Sequence, residues 1–218
     1  MISLQDNLDR PHGLLIGFTG HAGVGKDTCA NLLAQHGFLH TAFADKIRQE
    51  VKEAWGVHPY LFNDRSMKEH ETSRLSLSRC QDAEFLQRML EIGHDDMSAP
   101  RSPRWVLQQW GTEYRRAQRP TYWLDALGAQ LDEWSGAGRH YHCITDVRFP
   151  NEAEMIKRRG GHVVLVERRA ADSLRDPNTA AHVSVAVQPA VATVYNNGDF
   201  VDLKADLLRV IDQLAPRG

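Results

Sequence analysis

The chain has 218 residues, of which 42% are hydrophobic and 25% are charged, and its net charge is −2 at pH 7. A chain of this length and composition can bury its own core, which excludes a disordered, collagen-like or coiled-coil protein for most of its length. The nearly neutral charge argues against a protein that coats polymeric nucleic acid, and the lack of an 18-residue apolar run argues against a membrane span.

Residues 1–13 form a polar leader without the basic-then-apolar order of a signal peptide. The three cysteines, Cys29, Cys80 and Cys143, are widely spaced, and no two of them form a CxxC pair. This spacing indicates reduced thiols rather than a disulfide framework. We therefore expect a cytoplasmic protein without a zinc site.

After the leader, five short apolar runs predict strands of a parallel sheet, because strands covered on both faces read as continuous apolar runs. In chain order these runs are 14–18, 38–43, 141–145, 162–167 and 191–195. Apolar periodicity and cap signals predict the helices between them. They are a helix that ends near 35 and helices at about 45–55, 103–118, 120–135, 151–159 and 203–214. This alternation predicts an α/β fold with a five-stranded parallel sheet flanked by helices.

Two details refine this prediction. The stretch 45–135 is largely helical and lies between the second and third strands, as an insertion would. Asn151 and Glu154 have the spacing of a capping box and predict where the next helix begins. The region 168–182 is polar and reads as a loop.

The strongest motif is a glycine-rich loop between the first strand and the first helix. Gly20, Gly25 and Lys26 fit the pattern G-x-x-x-x-G-K, and Gly23 adds a further glycine. Glycines let the backbone wrap closely, so that several N–H groups point at one phosphate, and the helix that follows adds the positive end of its dipole. Lys26 places a full charge beside the β and γ phosphates. The spacing does not match the G-x-G-x-x-G of dinucleotide-binding folds.

Asp27 stands where this motif usually has Ser or Thr. A carboxylate there could hold Mg²⁺ directly or through water, since Mg²⁺ prefers oxygen ligands and keeps much of its hydration. Asp146 ends the third strand, where a carboxylate would point into the crevice at the carboxyl end of the sheet, and Arg148 follows it. The alternative for Asp146 is a turn residue before Pro150.

The predicted helix 103–117 has two faces at 100° per residue. The apolar face carries Val106, Leu107, Trp110 and Tyr114, and the opposite face carries Arg104, Gln108, Gly111 and Arg115. The second face is either solvated or the floor of a nucleotide site, with Gln108 at a base edge and arginines on phosphate. The arginines at 101, 104, 115, 116 and 119 form either an anion pocket or surface pairs with Asp95, Asp96 and Glu113.

Five segments, read together, resemble the bacteriophage-type deoxynucleoside monophosphate kinases of the P-loop nucleoside-monophosphate-kinase superfamily. The segments are GFTGHAGVGKDT, FADKIRQEV, SPRWVLQQWGTEYRR, TDVRFPNEAEMI and VYNNGDFVDL, in that order from about residue 14 to 214. The resemblance implies a single P-loop kinase domain over 14–218, with a nucleotide-binding insertion at about 45–135 and a lid at about 168–182. It also implies transfer of the γ-phosphoryl group of ATP, with Mg²⁺, to a deoxynucleoside 5′-monophosphate in the synthesis of dNTP precursors.

The resemblance assigns each matching position a role. The residues implied to hold ATP are Gly20, Gly23, Val24, Gly25, Lys26, Asp27, Thr28, Asn196 and Gly198. Those implied to bind the acceptor nucleotide are Asp45, Arg48, Arg104, Gln108, Thr112, Glu113, Arg116, Arg148, Asn151 and Glu152. The implied catalytic residues are Lys26, Arg116, Asp146 and Arg148, with Asp27 and Asp146 as the Mg²⁺ ligands and Arg168, Arg169 and Arg175 in the lid.

One segment departs from the family. The family tends to have His-x-Ser-Glu near the end of the lid, whereas this chain has His182-Val-Ser-Val185 without the carboxylate. The role of that glutamate is therefore absent or replaced. The partners implied are small nucleotides, with neither polymeric nucleic acid nor membrane. A homodimer is compatible with the sequence. If the chain is viral, the expected location is the cytoplasm of the host.

Two other functions stay open at this point. A P-loop ATPase or nucleotide switch would hydrolyse ATP to act on a partner, but the sequence has no convincing apolar Walker B run. A P-loop kinase with another acceptor, such as dephospho-coenzyme A, would keep the chemistry and change the substrate.

Overall fold

A computed structural model describes residues 13–64, 66–168 and 190–215. The strands in chain order are β1 (Leu14–Thr19), β2 (Leu39–Thr41), β3 (Tyr141–Ile144), β4 (His162–Glu167) and β5 (Ala192–Tyr195). The helices are α1 (Lys26–Ala34), α2 (Phe43–Trp55), α3 (Tyr60–Asn63), α4 (Ala83–Glu91), α5 (Pro103–Gln108), α6 (Tyr122–Gly136), α7 (Pro150–Arg158) and α8 (Phe200–Leu214). A π-helical segment, Gln109–Arg116, continues α5, and two 3-10 turns occupy Ser73–Leu75 and Leu77–Arg79.

The chain divides into two compact units. The first comprises Met1–Ala42 and Gly128–Gly218, of which the structure describes the parts given above, and the second is Phe43–Leu127. The sequence placed an insertion at about 45–135.

The first unit is built on one five-stranded sheet with the order β2-β3-β1-β4-β5. Each neighbouring pair is parallel, so the predicted α/β architecture is confirmed. In parallel strands of this kind the carboxyl ends lie at one edge of the sheet, and the loops that leave that edge form the usual ligand site.

Helices cover both faces of this sheet. Ile16 and Phe18 of β1 point into a core shared with α1 and α8, where Leu33 and Leu207 are also fully buried. The residue between them faces the other side, because side chains alternate along a strand. That residue is Gly17, where an added Cβ would come within 3.0 Å of Ile156 on α7.

The start of α7 differs from the prediction. The helix begins at Pro150 with Phe149 as its N-cap. Glu152, not Glu154, closes the helix start, because its carboxylate accepts the backbone N–H groups of Arg148 (2.7 Å) and Phe149 (3.0 Å). The predicted Asn151–Glu154 box is therefore wrong: Pro150 is the first helical residue, which puts the N-cap two residues earlier, at Phe149.

The second unit has an aromatic core. Phe85 packs against Trp55, Trp110 and Tyr114 with ring-centroid distances of 5.4, 4.8 and 5.5 Å. All four rings are buried, and the indole N–H of Trp55 donates to the Ser76 carbonyl at 2.9 Å. Large aromatic groups bury much area for little conformational entropy, which suits a unit of this size without disulfides. In the part of the chain that the structure describes, no helix is long and apolar enough to span a membrane.

Candidate active site

The phosphate loop lies at the carboxyl end of β1 and leads into α1. Gly20, Gly23 and Gly25 have φ values of +131°, +80° and +107°, which residues with a Cβ rarely adopt. An added Cβ on Gly20 would come within 3.0 Å of the Val166 carbonyl oxygen, and one on Gly25 would lie 2.5 Å from Asn196 Nδ2. Gly20 is therefore required both by conformation and by packing against backbone, whereas a side chain at Gly25 would displace the Asn196 amide.

Lys26 is folded onto this loop. Its half-buried ammonium group donates to the carbonyl oxygens of Gly20 (2.8 Å) and His21 (2.7 Å). The loop and the lysine are thus held together as one positively charged turn at the N-terminus of α1. Asp27 is exposed in the first turn of the helix, and Thr28 is half-buried.

Asn196 clamps the phosphate loop from the end of β5. Its side-chain amide donates to the Val24 carbonyl at 2.8 Å, and its backbone N–H donates to the Glu167 carbonyl at 2.8 Å. Val24 is buried beneath the loop. Asn196 therefore supports the loop although it is 172 residues away along the chain, and the sequence could not reveal this role. Gly198 lies in the exposed turn before α8.

Asp146 and Arg148 lie in the loop that follows β3. The register pairs Ile144 of β3 with Gly17 of β1, and the Val147 N–H donates to the Phe18 carbonyl at 3.1 Å. Asp146 therefore leaves the same edge of the sheet as the phosphate loop. It is half-buried, whereas Arg148 is exposed.

Glu152, on the first turn of α7, fixes the loop that follows β3. Its side chain is buried and accepts the two backbone N–H groups described above. A carboxylate engaged in this way holds the Arg148 backbone in place. The neighbouring Asn151 is half-buried on the first turn of α7.

The chemistry of the carboxylates fits magnesium. Asp27 and Asp146 offer oxygen ligands, and Mg²⁺ commonly takes one or two carboxylates together with water and substrate phosphates. Among the described residues no group of three His, Cys, Asp or Glu side chains forms an all-protein cage.

In the second unit, Asp45 and Arg48 lie on the first turns of α2. They form an ion pair of 2.7 Å, with side-chain exposures of 52% and 35%. Arg48 Nε is buried and makes no hydrogen bond in the described part of the chain. The pair thus presents a partly exposed guanidinium group at one end of α2.

The predicted two-faced helix 103–117 is only partly correct. Val106, Trp110 and Tyr114 are buried, as predicted. The polar face is not one surface, because the α-helix ends at Gln108 and a π-helix of wider turn follows. Rotation by 100° per residue therefore does not hold beyond this point, and Gly111 is buried while Thr112 is exposed.

Two arginines of this region have partners other than those predicted. Arg104 forms an ion pair with Glu69, and Arg119 with Asp125 at 3.5 Å. Arg101 donates to the backbone carbonyl of Asp96 at 3.2 Å. Arg104 and Arg119 therefore pair with carboxylates outside the predicted set, whereas Arg101 lies beside Asp96, one of the predicted partners.

Arg115 is committed to a network of its own. Its guanidinium group bonds to Glu50 (3.0 Å), lies 3.7 Å from Asp82, and stacks over the rings of Tyr114 (4.4 Å) and Tyr122 (5.1 Å). Burial lowers the pKa of Arg115, but the hydrogen bond and charge of Glu50 outweigh burial, and the net shift is upward. Arg115 therefore remains charged and paired, which does not suit a phosphate-binding role.

Sequence reasoning missed Glu50, since it reads as an ordinary surface residue of an amphipathic helix. It also missed Gln109, whose side chain is buried and whose Oε1 has no hydrogen-bond partner among the described residues. Trp110 and Tyr114, which the sequence places on the apolar face of the predicted helix, belong to the core. Of the predicted lid, Arg168 is exposed at the end of β4, and Arg169, Arg175, His182 and Val185 lie outside the described residues.

The sheet order, the loop between β1 and α1, and the lysine that closes it define a P-loop protein of the α/β class. The crystal structure of TT1252 from Thermus thermophilus shares this fold with a TM-score of 0.52 and 18% identity, over 94% of this chain and 100% of that chain. The dephospho-CoA kinase from Campylobacter jejuni aligns with a TM-score of 0.47 and 15% identity, over 92% of this chain and 96% of that chain.

The sequence comparison points to a narrower relationship. A protein of Acanthamoeba polyphaga mimivirus named "Putative deoxynucleotide monophosphate kinase" is 26% identical over 170 residues, which cover 71% of this chain and 74% of the viral protein. No protein-family model matches the chain. The resemblance predicted from the sequence is thus confirmed by a distant relative, and this supports a phosphotransferase of the nucleotide-kinase type.

Proposed function

We propose that this protein transfers the γ-phosphoryl group of ATP to a deoxynucleoside 5′-monophosphate and yields the diphosphate. The observation that carries the proposal is the phosphate loop, in which glycines of positive φ surround the ammonium group of Lys26 at the N-terminus of α1. The name of the viral relative supports the choice of acceptor. ATP and Mg²⁺ are the donor and cofactor.

The donor site is proposed to use the loop backbone from Gly20 to Gly25, with Lys26 on the β and γ phosphates. Thr28, Asn196 and Gly198 complete it, Asn196 acting through its hold on the loop. The residues proposed for the acceptor nucleotide are given for each unit separately. In the second unit they lie on α2 and on α5 with the π-helical segment: Asp45, Arg48, Arg104, Gln108, Thr112, Glu113 and Arg116. In the first unit they are Arg148 in the loop before α7 and Asn151 and Glu152 on its first turn, with Glu152 as a support of the loop.

The chemistry asks for little beyond placement and charge. An oxygen of the acceptor phosphate attacks the γ phosphorus, the bond to the bridging oxygen of ADP breaks, and that oxygen keeps the electron pair. Lys26, Arg116 and Arg148 offset the charge that develops, and no strong general base is required. Mg²⁺, when bound near Asp27 and Asp146, would supply further neutralisation of the phosphate oxygens. Lid arginines at 168, 169 and 175 are proposed to close over the phosphates and exclude water.

A phosphate-transfer assay tests the proposal. ADP formation is measured with ATP, Mg²⁺ and each of the four deoxynucleoside monophosphates, their ribose counterparts, or dephospho-coenzyme A. We expect turnover that depends on a deoxynucleoside monophosphate and that is lost in Lys26→Ala. A matched control is Asp132→Asn, which breaks the ion pair of 2.6 Å with Arg159 away from the loop and should keep activity.

The rival functions give different results. ATP hydrolysis at one rate with and without acceptor indicates an ATPase or switch, and turnover with dephospho-coenzyme A alone indicates the other kinase. Gel filtration of the same protein shows whether it forms a homodimer, with which the sequence is compatible.

A further inference from the structure

Resting on the proposed function, we infer that Glu50 is a positioning residue of the acceptor site. It lies on α2, one of the elements that carry the proposed acceptor residues, and its carboxylate joins this helix to the π-helical segment, which carries others. Asp45 and Arg48 precede it on α2, and Thr112 and Arg116 lie on the π-helical segment that it holds.

Three side chains donate to this one carboxylate. Oε2 accepts the indole N–H of Trp110 at 2.8 Å and the Nε–H of Arg115 at 3.0 Å. Oε1 accepts the hydroxyl of Tyr122 at 2.7 Å. Glu50 is only 24% exposed, so the partly buried carboxylate is compensated by short, charge-assisted bonds. It thereby links α2 to the π-helical segment and to the start of α6.

The tyrosines remain donors in this arrangement. Burial raises the pKa of Tyr122, and its hydrogen bond to Glu50 raises that pKa further. Burial likewise raises the pKa of Tyr114, whose hydroxyl donates to Asp82 at 3.1 Å. Both hydroxyls therefore keep their protons at neutral pH and hold the carboxylates in place.

Packing brings the same elements unusually close. A Cβ added to Gly111 would lie 2.8 Å from Cδ1 of Ile47, which stands one turn before Glu50 on α2. An alanine at this position would require the end of the Ile47 side chain to move. The glycine contact and the carboxylate bonds are separate observations that fix the same pair of elements.

External donors also satisfy the carbonyls of the π-helical segment. Trp123 donates its indole N–H to the Gly111 carbonyl at 2.9 Å, and Arg88 donates its Nε–H to the Glu113 carbonyl at 3.0 Å. A π-helix is less favourable than an α-helix and often marks a functional site. Here the surrounding side chains hold it, so the orientation of Thr112, Glu113 and Arg116 depends on its supports.

The network also separates the roles of two consecutive arginines. Arg115 is paired with Glu50 and lies near Asp82, so carboxylates of the same unit neutralise its charge. Arg116 is the one assigned to the acceptor phosphate. Loss of the Glu50 charge would release Arg115 and disturb the segment that presents Arg116.

A graded series of variants tests the inference: Glu50→Ala, Glu50→Gln and Tyr122→Phe. Glu50→Ala removes all three bonds, Glu50→Gln keeps the shape and removes the charge, and Tyr122→Phe removes one bond while it keeps the ring. We expect KM for the deoxynucleoside monophosphate to rise by about tenfold to a hundredfold in the first, less in the second and least in the third. KM for ATP should stay within about twofold, as it should for both substrates in the Asp132→Asn control.

The outcomes separate this inference from the proposed function. If the wild-type protein phosphorylates no deoxynucleoside monophosphate, the proposed function fails and this inference fails with it. If the wild-type protein is active and the variants lose kcat with both KM values unchanged, Glu50 stabilises the fold only, and the inference alone is overturned. Thermal unfolding of each variant, measured beside the kinetics, reports how much of it is folded, and kinetics are compared per folded molecule. If the Glu50 variants are too unstable to assay, Tyr122→Phe provides the test. An unchanged KM for the acceptor in Tyr122→Phe then refutes the inference.

Discussion

Two alanine substitutions in the phosphate loop should have very different consequences. Gly20 and Gly23 both have positive φ, at +131° and +80°. An alanine at either position is strained, and more so at Gly20, because +131° lies further from the left-handed region than +80°. Both substitutions remove the same flexibility from the unfolded chain. Only Gly20 has a neighbour in the way, since its Cβ would approach the Val166 carbonyl within 3.0 Å, whereas nothing lies within 4 Å of a Cβ on Gly23.

The magnitudes follow from these contacts. For Gly23→Ala the strain of a left-handed residue amounts to about 1–2 kcal/mol. Gly20→Ala adds an overpacking cost of about 1–3 kcal/mol, because the obstructing atom is backbone of β4 and is held in the sheet beside β1. For a chain of this size 1 kcal/mol corresponds to roughly 2–4 °C in Tm. Gly20→Ala should therefore melt several degrees below Gly23→Ala.

Thermal unfolding without nucleotide measures this difference, and the same measurement with ATP and Mg²⁺ tests the site. Wild-type protein should gain about 2.7 kcal/mol of stability when ATP is present at a hundred times its Kd. Gly23→Ala should remain folded and lose much of that gain, because its methyl group would occupy open space beside the loop, where the phosphate is proposed to bind. Equal melting temperatures for the two variants would refute the packing argument, and an undiminished ATP effect in Gly23→Ala would refute the placement of phosphate.

Three further outcomes are expected. Burial lowers the pKa of His142 below its ordinary 6.5. The contribution of this histidine to the free energy of unfolding is therefore complete above pH 6.5 and decreases below it, by up to about 1.4 kcal/mol per pH unit. A His142→Phe variant should lack this part of the pH dependence in chemical denaturation at pH 5 to 7, and an identical pH dependence would contradict the argument. Burial raises the pKa of the thiols of Cys29 and Cys143 to about 12 and that of Cys80 to about 11, so a thiol reagent at pH 8 should label the native chain slowly and the denatured chain at once; fast native labelling would count against the buried placement. Arg116→Ala should raise KM for the acceptor far more than KM for ATP, and equal increases would count against its assignment.

Much of the fold could be predicted from the sequence because its signals are local. The five apolar runs gave the five strands, with β4 matching to the residue and the others to within three residues at either end. The phosphate loop was equally readable, since its glycines, its lysine and its helix are contiguous in the chain. A local motif depends only on short-range geometry. Glycine at positions 20, 23 and 25 already indicates a backbone with positive φ.

The errors arise where a competing local or tertiary interaction prevails. The helix start at Asn151 was wrong because Pro150 and Glu152 offer a better N-terminus. The helical wheel for 103–117 failed beyond Gln108 because the segment becomes π-helical, and its supports come from α2, α4 and α6. The pattern of apolar residues within the segment does not indicate the change from α-helix to π-helix.

The sequence by itself therefore determined the class of fold, the position of the phosphate loop and the residues on which ATP is proposed to bind. Tertiary structure alone decided which polar residues are supports and which remain for substrate. Glu50 meets Trp110 across 60 residues and Tyr122 across 72, and Asn196 meets Val24 across 172. A carboxylate or an amide can reach any of many partners, so its role is set by the packing that brings one partner within hydrogen-bond distance and excludes water from the rest.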